Sequence, residues 1–320
     1  MASSSHLILS PDPQDVDRAA ALLAAGELVA FPTETVYGLG ADARNGRAVA
    51  SIFEVKGRPH FNPLIVHLAN VEHARSMVEW SGAAEKLAAS FWPGPLTLVL
   101  PLKPDHGLSS LVTAGLSTVA LRVPAHPTAR ALLAAFGGPV AAPSANPSGR
   151  ISPTTAQHVL HGLGGKIAAV LDDGPCAVGL ESTIVCLGKR PKLLRAGGIA
   201  TEDIETALGA PLEAAAPEQI SAPGQLASHY APDAPVRLDV MQPRADEVYI
   251  GFGDMTCTEN LSRAGDLVEA ASRLFDCLHR MNATGKPIAV APIPHTGLGA
   301  AINDRLQRAA APRPNKKGQD

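Results

Sequence analysis

Residues 31–68, FPTETVYGLGADARNGRAVASIFEVKGRPHFNPLIVHL, place hydroxyl groups, cations and glycines between two short apolar runs. Residues 28–31 are predicted to form a buried strand, which ends at the following proline because proline cannot donate a hydrogen bond to a sheet. Residues 33–37 then form a loop that presents hydroxyl groups, and Gly38 and Gly40 allow close backbone approaches that a Cβ atom would block. This mixture is typical of a binding loop rather than of a packed core.

A short helix and a cationic turn come next in the chain. Asn45 is the predicted N-cap of the helix, and Gly57 ends it. Lys56 and Arg58 flank that glycine, before a second apolar strand over residues 63–68. An ammonium and a guanidinium so placed can bind a phosphate or a carboxylate. A solvated basic turn explains the same short motif, KGRP, equally well.

Two motifs within this stretch resemble the YrdC-like domain of the threonylcarbamoyl-AMP synthase family. They are PTETVYGLG at 32–40 and KGRPHFNPLIVH at 56–67. The resemblance implies an α/β fold, in which a YrdC-like twisted mixed sheet with flanking helices surrounds a concave basic cavity, and a small Rossmann-like α/β domain follows at the C-terminus. It also implies a nucleotidyltransferase that converts L-threonine, bicarbonate and ATP to L-threonylcarbamoyl-AMP and pyrophosphate, for threonylcarbamoyladenosine modification of tRNA.

An arginine interrupts the apolar strand that is predicted over residues 118–124. A guanidinium buried alone is strongly destabilising, so Arg122 must either face solvent or hold an anion. Taken alone, the residue is better explained by exposure to solvent. The resemblance favours the second alternative, because the TVA-x-R-x-P strand of the family presents the equivalents of Thr118 and Arg122 to ligands.

A second dense motif, PSANPSGRISPTT at 143–155, follows a strand predicted over residues 140–142. Ser152 and Pro153 are predicted to begin a helix whose free amide groups offer an anion site, although a capped surface turn is the simpler alternative. Further along, EST at 181–183 and the KLLRAGG turn that contains Arg195 also match motifs of the family. Arg195 is therefore a third candidate cation for a phosphate.

The resemblance implies a role for each matched position. L-Threonine would be bound by Thr35, His67, Arg122, Ser144 and Ser182. ATP would be bound by Arg58, Asn62, Thr118, Asn146, Thr154, Arg195 and Tyr230. Lys56 and Arg58 would be the catalytic cations beside the phosphates, magnesium would arrive with ATP, and no residue is predicted to ligate a metal. As an isolated residue, His67 is better explained by a hydrogen bond to backbone, and only the ordered motif favours contact with a ligand.

The length of 320 residues indicates two domains rather than one. We expect a YrdC-like catalytic domain over residues 1–209, a linker and active-site lid over 210–235, a small α/β accessory domain over 236–311 and a disordered tail over 312–320. The linker contains APGQLASHYAP at 222–232, and in two-domain members of the family such a linker crosses the mouth of the active site. Residues 225–228 depart from the pattern of the family.

Composition excludes several classes of protein. The formal net charge is −3, so nonspecific attraction of a polyanion is not expected. The four cysteines form no C-x-x-C pair and are predicted to be reduced. No leader and no membrane-spanning stretch is recognisable, which predicts a cytoplasmic protein without a membrane partner. P-loop, nucleophile-elbow, zinc-protease and kinase motifs are missing from the sequence, and the G-x-G at 297–299 is interpreted as structural.

Two other functions remain open at this stage. An RNA-binding module could use the same basic cavity without catalysis, but aromatic residues make up only 4% of the chain, and stacking platforms for bases are therefore scarce. A regulator or hydrolase of carbamoyl or acyl phosphates could use the YrdC-like fold alone. We expect the product to pass to the downstream tRNA threonylcarbamoyl transferase machinery, and we do not expect direct binding of tRNA.

Overall fold

The computed structural model describes residues 7–188, 190–214 and 229–312. Its strands are β1 (Leu7–Leu9), β2 (Val29–Phe31), β3 (Gly38–Asp42), β4 (Ile65–His67), β5 (Leu96–Pro101), β6 (Thr118–Arg122), β7 (Val140–Ala141), β8 (Ala169–Leu171), β9 (Thr183–Leu187), β10 (Pro191–Arg195), β11 (Glu213–Ala214), β12 (Val236–Arg237), β13 (Val248–Gly251), β14 (Glu259–Asn260) and β15 (Ile288–Val290). Its helices are α1 (Pro13–Ala24), α2 (Gly46–Lys56), α3 (Val71–Met77), α4 (Gly82–Phe91), α5 (Ser110–Thr113), α6 (Pro127–Phe136), α7 (Ala156–Leu163), α8 (Thr201–Leu208), α9 (Leu267–Ala283) and α10 (Leu298–Ala310).

The first eleven strands form one mixed sheet in the order β1-β8-β2-β3-β7-β4-β6-β5-β9-β10-β11. Strands β4 and β6 run parallel at its centre and pair His67 with Arg122. Strand β7 runs antiparallel to both β3 and β4. Because side chains alternate between the two faces of a strand, Ile65 and His67 of β4 lie on one face, together with Ala120 and Arg122 of β6.

Apolar side chains fill both faces of this sheet. A large cluster on one face includes Val66 and Leu121 from the central strands and Ile52 and Phe53 from α2. On the other face, α1 and α6 pack against β1, β2, β7 and β8, with Phe31 at the centre of that cluster. The space beside α1 and α6 on this second face is the concave region of the predicted fold.

A second sheet, in the order β12-β15-β13-β14, follows the linker. All of its pairings are parallel, as the Rossmann-like prediction requires. Helices α9 and α10 pack on it, and we refer to residues 236–311 as the C-terminal unit. Gly299 at the start of α10 lies where a Cβ atom would stand 1.9 Å from the carbonyl oxygen of Pro294, which supplies a structural reason for that glycine.

The C-terminal unit packs against loops and helix α7 of the part of the chain that forms the first sheet. Its apolar cluster includes Val36, Ile151, Leu180 and Tyr230, which lie outside residues 236–311. His279 of α9 stacks on His158 of α7 with the ring centroids 3.8 Å apart. These contacts join the two parts, while the predicted division at residues 209, 235 and 311 stays a prediction.

The structure departs from the sequence prediction in several local details. Residues 38–42, predicted to lie in a loop, form β3, and the short elements α5 and β14 were not predicted. The helix predicted to begin at Ser152 begins instead at Ala156, with Thr155 as its N-cap. The Ser152 hydroxyl donates to the carboxylate of Glu181 at 2.6 Å, and the Thr155 hydroxyl is the one that accepts from a backbone amide of the helix, that of His158. The prediction of a helix N-terminus at Ser152 was wrong.

The linker is described only in part. Residues 215–228, which contain most of the predicted lid, and residues 313–320 of the predicted tail lie outside the described residues. At the end of the linker, His229 and Tyr230 are buried. The four cysteines are free thiols, of which Cys176 and Cys277 are buried. Within the described ranges, no helix has the length and apolar character needed to span a membrane.

Candidate active site

A cavity of about 50 Å³ lies on the second face of the large sheet, between the central strands and the end of the linker. Its lining comes mainly from the motifs that the sequence singled out, and the C-terminal unit packs behind the segment that contains Glu181. The residues that line it are Thr33, Thr35, Val36, Gly38, Arg58, Ile65, His67, Arg122, Ala142, Pro143, Ser144, Glu181, Ser182, Arg195, His229 and Tyr230. Residues that are distant in sequence therefore converge on one basic cavity.

Arg122 is buried and its guanidinium is held by groups of the same chain. It forms an ion pair with Glu34, in which Nη2 and Oε1 are 2.7 Å apart. It also donates to the Thr35 hydroxyl at 2.8 Å and to the carbonyl oxygen of Gly94 at 3.2 Å. Burial alone would raise the pKa of Glu34, but Arg122 holds that pKa below its usual value. Of the two alternatives left open by the sequence, exposure to solvent is wrong, and the anion that Arg122 holds is a carboxylate of the chain.

His67 lies next to Arg122 in the sheet and is nine-tenths or more buried. Burial, together with the positive charge of Arg122, lowers its pKa to about 3. The imidazole is therefore neutral at physiological pH. Its Nδ1 has no hydrogen-bond partner within the described part of the chain, which leaves a polar atom at the cavity wall.

Arg58 and Arg195 supply the remaining positive charge of the cavity wall. Arg58 donates to the carbonyl oxygens of Asn62 at 3.2 Å and Pro63 at 2.8 Å. Arg195 donates to the carbonyl oxygen of Ser182, at 2.8 Å from Nη2 and 3.2 Å from Nε. Burial and the nearby Arg195 lower the pKa of Arg58 to about 10, and burial lowers the pKa of Arg195. Both side chains remain cationic at neutral pH, at a cost that a bound anion would offset.

Lys56 is buried behind the cavity rather than in its wall. Its ammonium group donates to the carbonyl oxygen of Ser144 at 2.5 Å and to that of Asn146. Burial and the neighbouring Arg58 lower the pKa of Lys56 well below its ordinary value. In this arrangement Lys56 ties the end of α2 to the loop at 143–155.

Glu181 contributes a carboxylate to the wall beside Ser182. Its Oε1 accepts from the Ser152 hydroxyl at 2.6 Å, and its Oε2 accepts from Nε of Arg305 at 3.0 Å. Burial would raise the pKa of Glu181, but Arg305 and Arg195 hold it below the usual value. The Ser182 hydroxyl lies 2.7 Å from that of Thr97.

His229 and Tyr230 close the cavity from the linker side. The Tyr230 ring packs on Phe275 at 5.4 Å and under the guanidinium of Arg305, also at 5.4 Å. Tyr230 has a positive φ of 60°, which is unusual for a residue with a side chain. Burial raises the pKa of Tyr230 to about 12, and its hydroxyl has no hydrogen-bond partner among the residues that the structure describes.

The structure thus brings a majority of the predicted site residues to one cavity: Thr35, Arg58, His67, Arg122, Ser144, Ser182, Arg195 and Tyr230. In the conformation described, Lys56, Asn62, Thr118, Asn146 and Thr154 lie outside its lining. Asn62 and Asn146 are nevertheless buried close by, and the Oδ1 atom of each has no partner among the described residues.

Sequence reasoning assigned no role to Glu34, Glu181, His229 or Arg305. Glu34 and Glu181 stand inside the PTET and EST motifs, so their position was a usable signal. The pairing of Arg305 with Glu181 joins residues 124 positions apart, and the sequence around Arg305 does not predict this contact. Packing of the C-terminal unit creates this contact.

The comparisons of this chain with known proteins agree on one family. A family model described as "Telomere recombination" matches residues 21–197, and one described as "Threonylcarbamoyl-AMP synthase, C-terminal domain" matches residues 199–311. The chain is 43% identical to the threonylcarbamoyl-AMP synthase of Bacillus subtilis over 94% of each chain. It is 40% identical to that of Pyrococcus abyssi over 92% of this chain and 94% of its relative.

The fold agrees with that of a solved relative. The crystal structure of P. abyssi Sua5 complexed with L-threonine superposes with a TM-score of 0.88, at 38% identity, over 96% of this chain and 98% of that one. The match includes both the large mixed sheet and the C-terminal unit, because it spans nearly the whole length of each chain. The chain belongs to the threonylcarbamoyl-AMP synthase family.

Proposed function

We propose that this protein is an L-threonylcarbamoyladenylate synthase, a nucleotidyltransferase that forms L-threonylcarbamoyl-AMP and pyrophosphate from L-threonine, bicarbonate and ATP. The observation that carries the proposal is the cavity, which gathers Arg58, Arg122 and Arg195 with the hydroxyls of Thr35 and Ser182. The P. abyssi relative, which is similar over nearly its whole length, is described in complex with L-threonine. Such a set of groups suits the binding of an amino acid and of phosphates.

The chemistry requires a dry and positively charged site. The amine of L-threonine attacks the carbon of bicarbonate, a water molecule leaves, and a carbamate forms that hydrolyses readily in bulk water. A carbamate oxygen then attacks the α-phosphorus of ATP, and the bond to the pyrophosphate oxygen breaks. Negative charge develops on the leaving pyrophosphate, where fixed cations stabilise it.

Roles for individual residues follow from the family motifs and stay proposals. L-Threonine contacts Thr35, His67, Arg122, Ser144 and Ser182, and ATP contacts Arg58, Asn62, Thr118, Asn146, Thr154, Arg195 and Tyr230. The neutral His67 imidazole offers a hydrogen bond rather than a charge, because its pKa lies near 3. Lys56 and Arg58 are proposed as the catalytic cations. Since the Lys56 ammonium donates to the carbonyl oxygens of Ser144 and Asn146, its contact with phosphates requires that this loop shift.

Magnesium is proposed only as part of the substrate MgATP. Within the described ranges, histidine, cysteine, aspartate and glutamate side chains form no group of three that could hold a metal ion. The two buried carboxylates at the site, Glu34 and Glu181, are each paired with an arginine. Magnesium commonly binds through substrate phosphates and water, which fits such a site.

The end of the linker is proposed to act as a lid. In the conformation described, the cavity of about 50 Å³ holds only a few water molecules and is too small for ATP. His229 and Tyr230 form the wall that has to move, and we propose that the linker opens for ATP and closes over it. If ATP plus L-threonine left the rate of proteolysis within residues 210–235 unchanged, this proposal would be wrong.

The burial of the cations argues against the RNA-binding alternative. Arg58, Arg122 and Arg195 are exposed by 7%, 3% and 7%, so a phosphate backbone outside the cavity cannot reach them. A small substrate that enters the cavity can. We retain as proposals a cytoplasmic location, the transfer of the product to a tRNA threonylcarbamoyl transferase, and the division of the chain at residues 209, 235 and 311.

The test is pyrophosphate release by the purified protein with MgATP, with L-threonine and bicarbonate each omitted in turn. We expect release to require both. Arg58→Ala should lower kcat/KM by about a hundredfold, because it removes one charge-stabilising group. Arg130→Ala, which removes an exposed arginine from α6, is the matched control and should leave kcat/KM unchanged.

Release that is indifferent to L-threonine would overturn the synthase proposal. If the protein also bound RNA in a steeply salt-dependent way, the RNA-binding alternative would replace it. Hydrolysis of carbamoyl or acyl phosphates without use of ATP would favour the third function.

A further inference from the structure

Arg305 is a residue of α10 that is built into the wall behind the cavity. Its side chain is fully buried, and its Nε donates to Glu181 at 3.0 Å. Its Nη1 donates to the carbonyl oxygen of Ala196 at 2.7 Å and to Asp304 at 3.0 Å. The guanidinium also lies 5.4 Å from the centre of the Tyr230 ring. Except for Asp304, all of these partners belong to the part of the chain that forms the cavity.

Glu181 is the carboxylate that Arg305 neutralises, and its position makes that neutralisation important. Among the described residues, it is the one carboxylate that lines the cavity. The next residue, Ser182, accepts two hydrogen bonds from Arg195 through its carbonyl oxygen. The Glu181 carboxylate and the Arg195 guanidinium are close enough that each shifts the pKa of the other.

An unpaired carboxylate at this point would oppose the charge of the cavity. A negative group in a buried site of low dielectric would cancel much of the positive potential of Arg58 and Arg195. It would also compete with a phosphate for their N–H donors. A cation that pairs with Glu181 from behind removes both effects without entering the cavity.

We infer that Arg305 is a positioning residue by which the C-terminal unit sets the anion affinity of the cavity, because it neutralises Glu181 and leaves the cavity arginines to bind the phosphates of the substrate. The biological meaning of this inference rests on the proposed function. Its test does not, because the test measures pyrophosphate binding and not catalysis. It gives the C-terminal unit a defined part in the site, although none of its residues lines the cavity.

The test measures the binding of inorganic pyrophosphate to the full-length protein by isothermal titration calorimetry. We expect Arg305→Met to raise Kd at least about tenfold and Arg305→Lys to raise it less, because lysine keeps the charge but loses the planar fork. The double variant Arg305→Met with Glu181→Gln should bind within about threefold of wild type, since both charges are then gone.

Thermal unfolding of each variant separates this role from a merely structural one. A structural role predicts a lower Tm for Arg305→Met with an unchanged Kd, and that result would overturn the inference. So would a double variant that binds as weakly as Arg305→Met. Arg273→Met, which removes an arginine paired with Glu269 within the C-terminal unit, is the matched control and should leave Kd unchanged. Should Arg305→Met not fold, Arg305→Gln removes the same charge from a side chain that can still hydrogen-bond, and an unchanged Kd for that variant would contradict the inference.

The test of Arg305 can fail or succeed independently of the test of the synthase proposal. Wild-type protein that binds pyrophosphate but releases none in the presence of L-threonine, bicarbonate and MgATP would refute the synthase proposal and leave the role of Arg305 standing. A wild-type protein that is active, with pyrophosphate affinity indifferent to Arg305, would refute only the inference.

Discussion

The guanidinium of Arg122 is held by a carboxylate, a hydroxyl and a carbonyl oxygen of its own chain. The carboxylate of Glu34 balances its charge, and its Nη1 donates to the hydroxyl of Thr35. Arg58 differs, because the described residues give it only carbonyl partners. Of the two, Arg58 is the better candidate to neutralise a phosphate, since its charge is not already paired.

The pairing of Arg122 with Glu34 leads to a prediction about stability. Glu34→Gln leaves a buried guanidinium without its carboxylate, so we expect the free energy of unfolding to fall by about 3 kcal/mol. Combining it with Arg122→Met removes both charges and should recover most of the loss. Urea unfolding at pH 7 measures all three variants. A Glu34→Gln protein as stable as wild type would show that the pair contributes nothing.

Gly40 illustrates a glycine that is required for space. A Cβ atom there would lie 2.9 Å from a ring carbon of Phe31, 3.1 Å from a methyl of Val140 and 3.2 Å from the carbonyl oxygen of Val29. We expect Gly40→Ala to lower the unfolding free energy by about 2 kcal/mol, because the backbone oxygen cannot move aside cheaply. Gly46→Ala, whose Cβ would meet only the Ser109 hydroxyl at 3.4 Å, is the matched control and should cost nothing. Equal thermal melts for the two variants would contradict this explanation.

At the scale of elements, α2 is the helix whose bounds follow most directly from the sequence. Asn45 Oδ1 accepts from the backbone amides of Arg47 at 3.0 Å and Ala48 at 3.2 Å, and Gly57 ends the helix with φ 59°. Asn45→Ala should therefore cost about 1 kcal/mol. The matched control is Asp12→Ala, because Asp12 caps α1 without a side-chain hydrogen bond to the helix. Urea unfolding should show the smaller loss for Asp12→Ala, and the reverse order would refute the capping argument.

Elements of this kind could be predicted because their signals are local. A cap, a helix-ending glycine and apolar runs placed α2 and the strands β2, β4, β6 and β7 within a few residues. The strand β3 was missed because its glycines read as a loop, while its pairing with β2 and β7 is a property of the sheet. The helix start at Ser152 was misassigned because a distant carboxylate, Glu181, fixes the Ser152 side chain, while Thr155 caps α7.

In the site too, local sequence signals could be predicted and long-range contacts could not. The motifs predicted which segments meet, since their polar residues had no use in a core. They could not predict which cations would be paired, because the partners of Arg122 and Arg305 lie 88 and 124 positions away. Lys56 was expected in the cavity but binds two backbone carbonyl oxygens behind it, and that contact depends on where the loop at 143–155 folds back.

At the scale of the whole molecule, neutral histidines connect the two sheets. His158 of α7 and His279 of α9 stack at 3.8 Å, and His279 Nε2 lies 3.1 Å from the carbonyl oxygen of Ser152. Burial lowers the pKa of His158 to about 4, helped by His161. Burial and His158 lower the pKa of His279 to about 4, although Asp276 acts in the opposite direction. Both rings therefore stay neutral in the folded protein well below the pH at which they would charge in an unfolded chain.

This difference predicts an acid-sensitive junction. The unfolded chain binds protons on these rings below about pH 6.5, whereas the folded protein binds them only near pH 4. Stability that is fully present above pH 6.5 is therefore lost as the pH falls, at up to about 1.4 kcal/mol per pH unit for each proton. The partial exposure of the rings reduces that slope.

We expect the double variant His158→Gln with His279→Gln to flatten the curve of unfolding free energy against pH by about 1 kcal/mol per pH unit between pH 6.5 and 5. Urea unfolding at pH 7.5, 6.5, 5.5 and 5 measures it. Val159→Ala, a core change in the same helix without a titratable group, should lower the curve without altering its slope, and a double variant with the wild-type slope would show that these rings do not carry the acid sensitivity.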